Sequence, residues 1–352
     1  MDLLELGIAA ARAKNRAEAR MYLEAATLQD PTNEQAFLWL SFVLDEPKLA
    51  MRCLERVLEL DPDNQQAKRG LEWLRSKKGT GELLPQRLSD AEMEMALQSL
   101  RHPDERVVVK AIRRLGEAGD ARAVDPLVKL LASTKSKTIQ SQARTALIAI
   151  GTPSVDPAQR LLLNEANLEV ATQLAAVLAR VHSLAALTAC REVTEQARHP
   201  AARYAMVLNL TASVHGEAAL GIVRNYVEDA GQDQRARAAI LMAIGQAIKG
   251  KTLDANQGVR FLMDIQADPH LKATLGSAAL TAMGVSSQPP ALRYLLEAMG
   301  DRDTQRRVVA VDAVARFTPP QTALLEKLAR SPDPVVRKRA NQILDQFQSL
   351  KR

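Results

Sequence analysis

Apolar positions at the start of the chain are spaced for helices. Over residues 2–30, Leu3, Leu6, Gly7 and Ala10 share one face, and Ala19, Leu23 and Ala26 share another. Both sets follow the i, i+3, i+4, i+7 rule of a half-buried helix, with a break near Lys14-Asn15-Arg16. Asp30-Pro31 ends the pair, because proline lacks an amide hydrogen and pushes its predecessor out of the helical region. The design recurs with Phe37, Leu40, Ser41 and Leu44, then Ala50, Leu54 and Val57, and closes at Asp61-Pro62. Pro31 and Pro62 thus close equivalent units, so this is a repeat. Residues 64–76 predict a further helix with Ala67, Leu71 and Leu74 inward.

The run Ser76-Lys77-Lys78-Gly79-Thr80-Gly81 then breaks the pattern with the composition of a flexible or hinged linker. It sets a small module at 1–78, a linker at 79–88 and a longer region at 89–352. In that region a turn, an amphipathic helix ending in an aliphatic-Gly pair, a short turn and a second helix recur. Such endings occur at Leu115-Gly116, Ile150-Gly151, Ile244-Gly245 and Met283-Gly284, with degenerate ones near His182 and His215. Further starts fall at Asp301 and at Asp333-Pro334-Val335-Val336-Arg337. These intervals predict about eight helical pairs, the first helix covering roughly 90–101. A glycine closing each helix suits a left-handed cap, and an aspartate in the turn can cap the next helix.

Residues 1–76 resemble tetratricopeptide repeats, whose pattern runs W-x2-L-G-x2-Y, then A-x3-F-x2-A, then a closing Pro. Leu3, Leu6, Gly7, Ala10, Ala19, Leu23, Ala26 and Pro31 match the first copy; Phe37 to Pro62 match the second. The second copy departs by a three-residue deletion around Asp45-Glu46-Pro47 and by Ser41 in place of glycine. The segments Pro103 to Gly116 and Asp333 to Ala340 resemble HEAT repeats of the short, alanine-rich bacterial kind grouped with phycobilisome-lyase-like proteins. The resemblance implies an all-α fold: an α-solenoid in which a short tetratricopeptide-like module precedes HEAT-like repeats stacked as a right-handed superhelix. It also implies a protein-binding role.

Composition supports helices over sheets. Hydrophobic residues make up 47% of the chain and aromatic ones only 3%, so small aliphatics must fill the core. The eleven aromatics are uneven: Tyr22, Phe37, Trp39, Phe42 and Trp73 all precede the linker. No apolar run approaches a membrane span and no signal pattern opens the chain, so we expect no membrane partner and a cytoplasmic location. Two isolated cysteines, Cys53 and Cys190, fit reducing conditions and a core role.

Catalytic chemistry finds no foothold. His102, His182, His199, His215 and His270 form no HExxH motif, and the His-Glu dyads of HEAT-like deoxyhypusine hydroxylases are missing. His182 and His215 stand at equivalent places in adjacent repeats. Helix axes about 8–10 Å apart would not bring both rings onto one zinc, which binds nitrogen at about 2 Å. No nucleophile elbow, Walker loop or dinucleotide fingerprint occurs. We therefore expect no enzyme activity, catalytic residue, metal or cofactor.

Charge and aromatics supply the candidate surfaces. Residues 1–80 carry 12 Lys+Arg against 13 Asp+Glu, whereas 81–352 carry 35 against 28. Arg106, Lys110, Arg113 and Arg114 form a basic stripe, and Arg302, Arg306, Arg307, Arg337, Lys338 and Arg339 concentrate charge near the end. These ten are candidates for an anionic partner. In HEAT arrays such arginines also join aspartates in an inter-repeat ladder, for which Asp333 with Arg337 is suited. In the first module, Leu4, Ile8, Gln35, Leu38 and Phe42 are expected to line a groove for a helix or apolar peptide, with Trp39 and Trp73 as anchors. Alternatively these residues pack inside the protein. The expected function is a non-catalytic scaffold or adaptor for protein partners, with self-association open to it. The alternatives are a nucleic-acid platform using the basic stripes, or an accessory subunit of a lyase-type enzyme complex.

Overall fold

The computed structural model describes residues 2–13, 15–44, 46–76, 88–181, 183–213 and 216–349, and these are all-α. The first five helices are α1 (Leu3–Arg12), α2 (Arg16–Gln29), α3 (Glu34–Val43), α4 (Pro47–Leu60) and α5 (Gln65–Ser76). They begin where short polar side chains satisfy the free amides of the first turn: Asp2 caps α1, Asn15 caps α2 and Asn33 caps α3. Proline opens α4, at a position that needs no amide hydrogen. The expected inward sets meet in two cores. Ala10, Ala19, Leu23 and Leu40 join α1, α2 and α3, while Ala50, Leu54, Val57 and Leu71 join α3, α4 and α5. The 79–88 linker expected from sequence lies outside the described residues apart from the buried Leu88.

Sixteen further α-helices follow among the described residues, in a HEAT-like solenoid. The chain divides into two compact units, Met1–Asn209 and Leu210–Arg352. The first unit adds α6 (Asp90–Ser99), α7 (Glu105–Ala118), α8 (Val124–Ser133), α9 (Lys137–Ile150), α10 (Val155–Leu162), α11 (Leu168–Leu178) and α12 (Leu184–Gln196). Here α7, α9 and α11 pack side by side in one row, and α8, α10 and α12 form the other. Helix α13 (Pro200–Leu210) ends at the division. The second unit holds α14 (Gly216–Glu228), α15 (Gln234–Lys249), α16 (Ala255–Ala267), α17 (Pro269–Ser286), α18 (Pro289–Ala298), α19 (Thr304–Ala315), α20 (Thr322–Leu328) and α21 (Pro334–Ser349). Its central row is α15, α17, α19, α21. No described helix is long and apolar enough to cross a membrane.

The aspartates cap as expected. Asp104, Asp233, Asp268, Asp303 and Asp333 each accept from backbone amides opening α7, α15, α17, α19 and α21. The glycines correct the reading. Only Gly151, at φ +83°, follows a helix as foreseen; α7 is closed instead by the left-handed Gly119. Gly116, Gly245 and Gly284 lie inside α7, α15 and α17. A Cβ on Gly116 would stand 2.7 Å from the Ala146 Cβ, and one on Gly245 would stand 2.5 Å from the Ala282 carbonyl oxygen. One on Gly284 would overlap the Ala313 carbonyl. These glycines lower helix propensity by about 1 kcal/mol each, yet they let consecutive helices of the row approach backbone to backbone.

A second device holds the turns. Near the start of several helices a long polar side chain donates to the carbonyl six residues earlier. Gln140 reaches Thr134 O, Arg203 reaches Ala197 O, Arg307 reaches Asp301 O and Arg337 reaches Ser331 O, at 2.7–3.0 Å. Each bond satisfies a loop carbonyl that the helix itself cannot reach.

Candidate functional site

An apolar hollow of about 710 Å³ opens between the end of α3, the start of α4 and α5. Ala50, Leu54 and Leu74 form its floor, and Phe42, Leu44, Pro47 and Trp73 its walls. Phe42 and Trp73 are each 57% exposed, among the large apolar side chains left open. The repeat explains why both line it, since the step from Pro31 to Pro62 also carries Phe42 to Trp73. Among the described residues, Arg16 and Arg69 are the only ionisable groups lining the hollow. Sequence reasoning missed Arg69, although the same step places it in the register of Leu38.

The other groove candidates divide. Gln35 is exposed near the start of α3 and Ile8 is half-buried on α1. Leu4 and Trp39 pack partly onto the α1–α3 core; Trp39 meets Phe42 edge-on at 6.2 Å, with the Arg12 guanidinium over its ring at 5.7 Å. Leu38 corrects the expectation: it is buried in the α3–α5 core, in the cluster that holds Met51, Leu54 and Leu71. It is not available to a partner.

The opposite side of the module is occupied within the first unit. Helix α2 packs against α12, and the Arg52 guanidinium of α4 donates to Ala118 O at 3.4 Å. A Cβ on Gly119 would stand 2.8 Å from that guanidinium. A polar hollow of about 920 Å³ lies here, lined by Arg52, Arg56 and Arg122 together with Glu55, Glu59 and Asp120. It is largely self-compensated: Arg122 pairs with Asp120 and Asp90, and Arg56 with Glu59. Nearby, burial pushes the Glu24 carboxyl up to about 7, against the opposing pull of Arg20 at 2.7 Å. Its Oε2 is buried without a hydrogen-bond partner. Burial, aided by Glu24, also pushes the Cys53 thiol up to about 12, and burial raises that of Cys190. Neither is placed to act as a thiolate.

Several basic candidates turn out to serve the fold. Arg306 is buried, donating to Gln266 Oε1 at 2.7 Å and to Asp301 at 2.9 Å. Lys272 joins at 3.3 Å, and Asp301 is held down to about 2, chiefly by the Asp303 amide and then by these cations. Arg307 and Arg337 hold loop carbonyls, Arg114 pairs with Glu92 at 2.6 Å and Arg339 with Asp312 at 2.6 Å. The expected Asp333–Arg337 rung is corrected too. Asp333 lies 3.2 Å from Arg307 of the preceding repeat, without hydrogen-bond alignment, while Arg337 turns to its own loop. Arg106, Lys110, Arg113, Arg302 and Lys338 remain exposed. Among the described residues no group of three or more His, Cys, Asp or Glu is arranged to hold a metal; His182 and His215 lie outside them.

Residues 93–179 match the family model of HEAT repeats. No curated protein matches the sequence. Among solved structures, an engineered protein is 17% identical with a TM-score of 0.30, each chain covered to 99%. The myosin chaperone UNC-45 from C. elegans, in complex with an Hsp90 peptide, is 12% identical at a TM-score of 0.33. The match covers 96% of this chain and 54% of that one. Human deoxyhypusine hydroxylase is 18% identical at 0.23, covering 86% and 97%. The region at 93–179 is thus HEAT-repeat in kind, within an all-α repeat protein.

Proposed function

We propose that this chain is a non-catalytic scaffold whose HEAT-like helices form the frame and whose first five helices, read as tetratricopeptide-like hairpins, engage a protein partner. One observation carries the reading. Phe42 and Trp73 stand open over one hollow, while the far side of the same module is anchored on α12 and the Gly119 turn. A fixed module with one open aromatic face suits a docking role, since rigid aromatic side chains are common anchors of protein interfaces. HEAT repeats generally bind proteins through such surfaces. The raised cysteine thiols support the absence of nucleophilic chemistry.

Crosslinking with mass spectrometry in native extract tests the reading. Partners linked to α3–α5 should be recovered by the natural chain and lost with the Phe42→Ala/Trp73→Ala double variant. Equal recovery by both would overturn it. The exposed cations of α7 favour a second reading, in which an anionic polymer binds there. A labelled duplex retained at about 50 mM salt and released at higher salt would support that reading; no retention would remove it.

A further inference from the structure

We infer that Arg144 and Arg180 together take one phosphate of a nucleic-acid duplex laid across α7, α9 and α11. The inference rests on the second reading above, an anionic polymer at α7, and extends its site along the row. Arginines that reach between helices here generally end on a carboxylate, as Arg114 does on Glu92, Arg224 on Asp264 and Arg339 on Asp312. Arg144 does not. From α9 it crosses to α11 and donates through Nη1 to the Gln173 amide oxygen at 2.6 Å. Arg180 follows Gln173 by seven residues, close to two turns, and so leaves the same side of α11. Burial, and after it the charge of Arg180, holds the Arg144 guanidinium below its ordinary value. Among the described residues no carboxylate is joined to either arginine. Like charges kept side by side cost free energy, and an anion bound between them removes that cost. Guanidinium forks match phosphate oxygens, and Gln173 fixes the direction of one of them.

The open face of the same row selects the occupant. Arg106, Lys110 and Arg113 stand exposed on α7, and among the described residues none of them is joined to a carboxylate. Glu105 accepts instead from the Ser136 hydroxyl, Glu169 is joined to Lys137, and Glu117 stands exposed at the far end of α7. Leu168 is the one large apolar side chain exposed on these three helices, and it lies at the opposite end of α11 from Arg180. A protein partner would find charge there without the apolar centre that its interface needs. The sequences of α7, α9 and α11 hold no aromatic residue, so a single strand has no ring to stack on. A duplex needs neither, because point charges hold it through its phosphates.

Fluorescence anisotropy of a labelled duplex titrated with the full chain at about 50 mM salt tests this. Affinity should not depend on the duplex sequence. Arg180→Ala should lower it about tenfold and reduce the slope of log affinity against log salt by about one. Gln173→Glu supplies from inside the charge that a phosphate would bring. It should weaken binding at least as much, while melting no lower than the natural chain. Arg180 is exposed, so its variant stays interpretable whatever Gln173→Glu does to melting. Binding lost when Arg106, Lys110 and Arg113 become alanine, yet unchanged in Arg180→Ala and Gln173→Glu, would overturn the inference and leave the second reading standing. No binding by the natural chain would overturn both. Poly-glutamate or a single strand binding as tightly as the duplex, with the same dependence on Arg180, would overturn the duplex as occupant.

Discussion

Helices α1–α5 and helices α15–α21 obey the same apolar spacing, yet they solve burial in opposite ways. The later row fills its core with alanine, valine and leucine and brings helices together at glycine. Its long polar side chains are folded back onto loop carbonyls or across to the next repeat. The early hairpins carry Trp39, Phe42 and Trp73 on α3 and α5, and two of these stand over an opening. Close packing leaves little to bind, whereas imperfect closure around Phe42 and Trp73 leaves a site. Function is therefore sought where the packing is least complete.

The sharpest way to break this contrast is to add a side chain at a close approach. Gly284→Val would drive methyl groups into the Ala313 carbonyl, which is main chain and cannot swing aside. We expect a loss of about 3 kcal/mol in the stability of the second unit, seen as a fall of roughly 10 °C in its melting transition. The matched change in the early module is Gly70→Ala, whose Cβ meets the Leu54 Cδ1 at 2.9 Å. A leucine methyl can rotate away and alanine favours the helix, so the net change should stay within about 1 kcal/mol. Equal effects from the two substitutions would dissolve the distinction.

Next in size is Arg306→Met. It would remove a buried guanidinium from Gln266 and Asp301 and cost about 2–3 kcal/mol in chemical denaturation. A further readout is the Asp301 carboxyl. Its folded value near 2 lies below the unfolded one, so its contribution is present above about pH 4 and is lost as pH falls toward 2. In the variant that acid-dependent loss should shrink, because one of the cations holding Asp301 down is gone. An unchanged acid profile with full stability would show that Arg306 is no part of the frame.

Much of the frame was legible in the sequence. Pro31 and Pro62, the apolar spacing and the capping aspartates placed the helices, because each acts through its own neighbours in the chain. The glycines were misread for the opposite reason. Gly116, Gly245 and Gly284 answer to the next helix of their row, far along the chain, and only the fold shows what each one meets. The same holds for Arg306, whose run of basic neighbours looked like a surface stripe until Gln266 and Asp301 were found beside it. At the candidate site, Phe42 and Trp73 were named from their chemistry. Arg69 was missed because apolar and aromatic groups were sought there, although the repeat register of Leu38, then expected in the groove, pointed to it.

A third prediction concerns the anchored side of the module. Glu24 has a folded value near 7, above its unfolded one near 4.5, with burial as the main cause. The folded state therefore holds the proton more tightly, and stability should fall as pH rises from about 4.5 to 7 before levelling off. Glu24→Gln keeps an oxygen for Arg20 while removing the buried charge, so it should raise the melting temperature by a few degrees at pH 7.5 and flatten this slope. A lower melting temperature at pH 7.5 would mean that the Arg20 pair outweighs burial.

The smallest expected effect draws the line between frame and surface among side chains of one charge. Arg106, Lys110 and Arg113 stand exposed on α7, whereas Arg337, also on the surface, donates to two loop carbonyls, Ser331 O at 2.7 Å and Pro332 O at 3.3 Å. Replacing the three α7 cations together by alanine should change stability by no more than about 0.5 kcal/mol, since no core contact is lost and alanine favours the helix. Replacing Arg337 alone should cost about 1 kcal/mol, because two backbone oxygens lose their donor and water only partly restores the bond. Chemical denaturation of both variants decides the matter. A triple variant as damaged as Arg337→Ala would mean that the α7 cations are structural too, leaving the hollow at Phe42 and Trp73 without a rival surface.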